Sequence, residues 1–385
     1  QFSGIDLHNG TTLVRGHRGE YATHLFTQVA TDIIRNHNTS KPLFLYLAEI
    51  APHTGNFHNP LQAPLEIIKK FSYIKHLQRR IYAAMVSALD DSVGSIFKAL
   101  YEKGILENSI IVFASDNGGE VSVRKNGYAS NYPLRGRKRT AFEGGIRVPA
   151  VLWSPLLGLR ESRTSNQLMH VTDWLPTLYE AAGGNVKDLG TIDGRNMWNA
   201  LRLNCKSPRR ELLHLLDTIY GMSALRIGNL KLINGSVFNK AEEWYGPTGF
   251  EDVNPASMDE WVFKDSNVVE TILKRTELWL PRSPDTWRRE AVLQCNGKQP
   301  IKGKECNPAQ APCLFNITSD PCEYHNIAAV YPQMVNTMME IISALQEVSE
   351  PAQKKIIDPK SHPLCHDFGH VEWLEPEYSS TCDFL

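Results

Sequence analysis

Apolar positions in the first half of the chain alternate between short unbroken runs and a longer helical period. Leu43–Leu47 (LFLYL) is a continuous apolar run after Lys41-Pro42, as in a strand covered on both faces. From about Arg80, Ile81, Met85, Leu89, Val93, Ile96 and Leu100 recur every three or four positions. That spacing predicts a helix with one core-facing stripe, and Gly104 stands where a C-terminal cap belongs. Ser109–Ala114 (SIIVFA) and Val148–Trp153 (VPAVLW) read as two more buried strands, the second ended by Ser154-Pro155. Strand, helix and strand at these intervals predict an α/β fold with a mostly parallel sheet and helices on its faces.

The pattern changes near Pro208. Ala224–Ile227 and Leu230–Ile233 flank Gly228-Asn229, which predicts an antiparallel hairpin with a two-residue turn. After Pro332, residues Met334, Met338, Ile341, Leu345 and Val348 fall on one side of an amphipathic helix. Residues 239–313 are rich in Trp, Pro, Gly and Cys without a regular period, so a long loop region is expected there. The tail from Glu350, with Pro351, Pro359, Pro363 and Pro376, reads as an extended segment wrapping the surface. The expected division is residues 1–205 and a smaller α+β unit, 206–385, built on an antiparallel sheet.

Composition narrows the class. Among 385 residues, 41 Lys+Arg face 42 Asp+Glu, with 42% hydrophobic and 22% charged residues. Such a chain can bury a core and is not intrinsically disordered. It has no global positive field to attract nucleic acid. No apolar run reaches the roughly 18 residues of a membrane span. The opening QFSGIDLHNG has neither an initiator Met nor a signal-like stretch, and reads as a processed chain or a fragment. All seven cysteines (Cys205, Cys295, Cys306, Cys313, Cys322, Cys365 and Cys382) lie in the second half, without a CxxC. Sequons occur at Asn9, Asn38, Asn234 and Asn316. Together these favour the secretory pathway, lysosomal or secreted, where disulfides persist. An odd count leaves one thiol unpaired within the chain.

Three polar sets could carry chemistry, two of them just past strand ends, where α/β sheets gather reactive groups. Ser115-Asp116-Asn117-Gly118-Gly119 follows strand Ser109–Ala114. Asp116 and Asn117 offer adjacent hard oxygens suited to Ca²⁺ or Mg²⁺, although the same residues also make a good turn. Ala51-Pro52-His53-Thr54-Gly55-Asn56, then His58, follows Leu43–Leu47. A histidine there suits a general acid or an anion ligand, or an ordinary surface loop. Pro133-Leu134-Arg135-Gly136-Arg137-Lys138-Arg139 concentrates positive charge for a sulfate or phosphate, or forms a solvated face.

The motifs in this order resemble the sulfatase family, and within it the arylsulfatase B-like (N-acetylgalactosamine-4-sulfatase) branch. The likeness rests on Leu43–Ala48 with its downstream histidine and Pro60-Leu61-Gln62-Ala63-Pro64, and on Phe113–Gly119. It extends through Pro133–Lys138 with Glu143-Gly144-Gly145, and Thr172-Asp173-Trp174-Leu175-Pro176-Thr177. Ser207-Pro208-Arg209 with Glu211–His214, and Leu314–Ile317 with Asp320-Pro321-Cys322-Glu323, carry it into the C-terminal part. The resemblance implies an alkaline-phosphatase-like sandwich with a smaller C-terminal domain, and hydrolysis of a sulfated carbohydrate or aryl sulfate. It implies Ca²⁺ on Asp116 and Asn117, with Asp116 also helping to activate the nucleophile. His53 would contact sulfate or the leaving oxygen, and Lys138 would bind sulfate.

One family element is missing. The nucleophile of the family is a formylglycine made from Cys or Ser in C/S-x-P-x-R, and no such motif occurs in the 385 residues. Cys205-Lys206-Ser207-Pro208-Arg209 reads C-x-x-P-R. The family's GKWHLG-like run and its early Asp-Asp ligands are absent as well. The chain is therefore expected to be the back two-thirds of a sulfatase, inactive alone and weak in Ca²⁺ binding. A sulfated-glycan binder descended from such an enzyme, or a phosphatase or phosphodiesterase of the same superfold, are the rival readings. Oligomeric state is not legible from the sequence.

Overall fold

In the N-terminal half, a long helix organises the packing. The computed structural model describes residues 3–56, 58–121, 127–159, 162–238, 242–246, 290–350 and 357–375. Helix α1 (Ala22–Asn36) and a short α2 (Leu65–Lys70) both pack on α3 (Leu77–Glu102). The predicted stripe is what α3 uses: Met85, Leu89 and Leu100 are buried, along with Ala84, Ala88 and Ala99 where neighbouring helices approach. The helix ends as the sequence predicts. Gly104 adopts φ 74°, a left-handed conformation cheap only for glycine, and Ile105 N–H then closes on the Leu100 carbonyl at 3.0 Å.

The sheet beside these helices departs from expectation. A small hairpin of β1 (His8–Asn9) and β2 (Thr12–Leu13) comes first. Strands β3 (Ile111–Ala114) and β4 (Ala150–Trp153) then form where predicted, but they pair antiparallel, Ile111 opposite Trp153 and Ala114 opposite Ala150. Leu43–Leu47 belongs to no ladder. Its Leu43 and Leu45 pack on Ile34, Ala99, Leu100 and Leu106, whereas Phe44 and Tyr46 are 81% and 82% exposed. The segment thus uses one face only, and among the described residues no strand lies alongside to pair its backbone.

After helix α4 (Glu143–Ile146), α5 (Trp174–Ala181) and α6 (Trp198–Leu203) come the strands of the C-terminal sheet. Strands β5 (Glu211–Asp217), β6 (Met222–Ile227), β7 (Leu230–Asn234) and β8 (Cys313–Asn316) run antiparallel in the order β5-β6-β7-β8. The predicted hairpin is β6–β7, with Ile227 opposite Leu230 and Gly228 at φ 57° in the turn. Helix α7 (Pro332–Val348) covers one face, where Met338 and Ile342 join Leu225, Leu232 and Leu314. The buried stripe of α7 is centred on Met338 and Ile342, so Val348, expected on it, is 82% exposed. The other face buries Ala224, Ile233, Cys313 and Phe315 against Ala141 and Phe142.

Of the expected loop region 239–313, residues 242–246 and 290–312 are described and contain no paired strand beyond an isolated Arg135–Trp244 bridge; the remainder lies outside the described residues. The described tail, 357–375, makes two short 3₁₀ turns and joins the N-terminus, where Ile5 bridges Gly369. Disulfides link Cys295 to Cys322 and Cys306 to Cys313, Cys365 is also disulfide-bonded, and Cys205 is free and exposed.

Candidate active site

The loop after β3 is fixed by its backbone. Ser115 N–H donates to the Pro149 carbonyl (3.1 Å) and Gly118 N–H to the Gly145 carbonyl (2.9 Å). A Cβ on Gly118 would run into the Gly144 carbonyl, so only glycine lets the two chains approach. Asn117 spends its amide N–H on the Gly118 carbonyl (3.1 Å), which leaves its side-chain oxygen open. The Asp116 carboxylate is exposed and makes no hydrogen bond or ion pair with the described residues. Asp116 and Asn117, adjacent in sequence, thus keep side-chain oxygens unengaged by the described residues, donors of the kind used in a calcium shell of about six to eight. Among the described residues no group of three or more His, Cys, Asp or Glu could complete it.

The basic segment meets this loop. Lys138 N–H donates to the Gly119 carbonyl (3.1 Å), while its half-buried ammonium engages no described residue. Gly144 N–H donates to the Arg135 carbonyl (2.7 Å), and Gly136 turns with φ 83°. The loop after β3, the Arg135–Lys138 segment and α4 therefore form one backbone-knitted unit.

The charges of the segment do not act together. Arg135 is fully buried, its guanidinium 4.0 Å from the Phe142 ring centre and 4.5 Å from that of Trp244. It donates to the carbonyls of Glu242 (3.0 Å) and Cys306 (2.7 Å), and burial pushes its pKa down to about 10. Arg137 is buried too, one terminal guanidinium nitrogen donating to both carboxylate oxygens of Glu120 (2.8 and 3.1 Å), and it lies 3.4 Å from Glu242. Both arginines are structural, and only Lys138 and Arg139 remain open to an anion.

His53 follows a cis Ala51–Pro52 bond in an exposed loop. Its Nδ1 lies 2.8 Å from the Thr54 carbonyl, a pure acceptor, so Nδ1 carries a proton and Nε2 is the free position. Among the described residues, no hydrogen bond or ion pair joins His53 to Asp116, Asn117 or Lys138. The structure thus brings the loop of Asp116 and Asn117 against that of Lys138 and leaves His53 on its own loop.

Sequence reasoning missed the buried ionic cluster behind the site. Lys231 on β7 reaches Glu143 of α4 (2.8 Å) and Glu323 (2.9 Å), and Glu323 also accepts the Glu143 N–H (2.8 Å). Burial raises Glu323 to about 7. Against the opposing effect of burial, Lys231 holds Glu143 below its ordinary value. Neighbouring His214 is pushed down to about 3 by burial and by Lys231, and its Nε2 meets no hydrogen-bond partner among the described residues. A lysine inside the apolar run Leu230–Ile233 was the available signal.

Comparison with known proteins gives the class. Residues 3–184 match the sulfatase family model. Arylsulfatase J of Mus musculus is 30% identical over 393 residues, covering 97% of this chain and 57% of that protein. N-acetylgalactosamine-6-sulfatase of Mus musculus is 35% identical over 176 residues, covering 46% and 32% respectively. The chain thus spans little more than half, or less, of these relatives' lengths. Among solved structures, Ps i-CgsB in complex with k-i-k-neocarrahexaose aligns with TM-score 0.51 and 29% identity, over 75% of this chain and 63% of that one.

Proposed function

We propose that the chain carries the metal- and anion-binding side of a sulfuric ester hydrolase of the arylsulfatase B-like type, acting on sulfated sugars or aryl sulfates. The observation that supports it most directly is the Lys138 N–H to Gly119 carbonyl bond. It sets an unengaged ammonium beside the loop of two unengaged oxygens, Asp116 and Asn117. Asp116 and Asn117 would hold Ca²⁺, which when bound neutralises charge on the sulfate oxygens. Lys138 pairs with a further sulfate oxygen. Protonated at Nε2, His53 is the acid that gives its proton to the leaving alkoxide, with Nδ1–H anchored on Thr54. The nucleophile lies outside the 385 residues, which lack C/S-x-P-x-R, so the chain alone does not turn over.

The disulfides and the exposed Asn9 and Asn38 support passage through the secretory pathway to the lysosome or the cell exterior. Asn234 and Asn316 are half-buried. No helix of the described residues is long and apolar enough to cross a membrane.

The test is hydrolysis of 4-nitrophenyl sulfate and 4-nitrophenyl phosphate by the complete gene product, with Lys138→Ala and His53→Ala beside wild type. The expected result is cleavage of the sulfate, lowered in both variants. Preference for phosphate supports the phosphatase rival instead. No cleavage together with retained binding of a sulfated glycan supports the binder. An unchanged rate in His53→Ala removes His53 from the mechanism.

A further inference from the structure

We propose that Asn131 is a positioning residue that holds the Asp116–Asn117 loop and the Lys138 segment in register, an inference that rests on the sulfatase reading of that site. Its side-chain oxygen accepts the Gly119 N–H (2.9 Å), and its amide nitrogen donates to the Gly119 carbonyl (2.9 Å) and the Gly136 carbonyl (3.2 Å). One primary amide thus engages both backbone groups of Gly119, as a neighbouring strand would, and reaches across to the second loop. The orientation is fixed by chemistry, because an N–H needs the oxygen and two carbonyls need the NH₂. Gly119 lies two residues past Asn117, and Gly136 two residues before Lys138. The Gly119 carbonyl also accepts the Lys138 N–H (3.1 Å), so both arms of the site meet at the atoms Asn131 holds. Asn131 is itself anchored, its own carbonyl accepting the Leu134 N–H at 2.8 Å.

Asn131→Asp keeps the acceptor for Gly119 N–H but turns carboxylate oxygen toward two carbonyls; Asn131→Ala removes all three bonds. Aryl sulfate hydrolysis by the complete gene product is measured across substrate and Ca²⁺ concentrations. Thr177→Ala serves as the control: Thr177 is buried on α5, where it accepts the Met197 N–H. Misplacing both arms raises KM and the half-saturating Ca²⁺ concentration together, by roughly tenfold to a hundredfold. A merely structural loss removes active molecules and lowers kcat alone, as in the control. Both constants staying within about twofold of wild type, or a loss confined to kcat, overturns the proposal.

A second readout needs no activity. Hydrogen exchange on metal-free protein should show faster exchange of the Gly119 and Lys138 amides in Asn131→Ala, and unchanged protection there overturns the proposal. If wild type cleaves no aryl sulfate, the sulfatase reading fails, and the exchange experiment still decides whether Asn131 holds the two loops.

Discussion

The Nζ of Lys231 stands 2.8 Å from Oε1 of Glu143, with both side chains buried, so the C-terminal sheet grips the turn behind the candidate site through a desolvated ion pair. Glu143 opens α4, whose Gly145 carbonyl receives the Gly118 N–H. The contact therefore links a strand of one sheet to the loop following a strand of the other.

Removing the cation strips two buried carboxyl groups of their shared ammonium, leaving Glu323 the Glu143 N–H and Glu143 the Arg147 guanidinium at 3.7 Å. Lys231→Met is expected to cost about 3–5 kcal/mol, the range for breaking one side of a buried pair. Adding Glu323→Gln should recover part of the loss, since one fewer charge is stranded. Urea denaturation of the two variants beside wild type checks both statements.

The same cluster sets a pH dependence. Glu323 ionises near 4.5 when unfolded and is raised to about 7 by burial. Between these values the folded protein holds a proton that the unfolded chain has lost. Its contribution to stability is therefore full below pH 4.5 and is lost as pH rises through 7. In Glu323→Gln this decline should be absent. His214 acts in the opposite sense, because its folded value is about 3 against 6.5. Its contribution is present above 6.5 and falls away on acidification, so His214→Leu should flatten the acid side. Denaturation curves from pH 4 to pH 8 separate the two effects.

The disulfides Cys295–Cys322 and Cys306–Cys313 close loops of different length, with partners 27 and 7 residues apart. On the chain-entropy argument the first contributes about 3–4 kcal/mol and the second about 2. Replacing each pair by serines should lower the melting temperature more for the longer loop, as calorimetry would measure.

Gly118→Ala is expected to destabilise by about 1–3 kcal/mol, because the new methyl meets backbone that cannot rotate away. The opposing carbonyl is that of Gly144. The loop carrying Asp116 should shift with it, so the variant should bind Ca²⁺ more weakly than wild type by calorimetry.

Much of this was legible in the chain. The stripe Ile81–Leu100, the turn at Gly228-Asn229 and the period after Pro332 are local signals, and each marks the element it predicts. The motifs around Asp116, Lys138 and Glu143 point the same way as the sulfatase family model that matches residues 3–184. The limits are equally physical. An apolar run states that a strand could form, but a ladder needs a neighbour, and Leu43–Leu47 has none among the described residues. Nor does β-character fix direction, which is why β3 and β4 pair antiparallel.

What the sequence determined by itself was therefore periodicity, turn chemistry and the order of motifs, since these depend on residues a few positions apart. Only the tertiary structure decided which charges are buried structure and which face solvent. Arg135 reaches Glu242 across 107 positions and Lys231 reaches Glu143 across 88. The burial that makes such pairs consequential exists only once distant segments exclude water from between them.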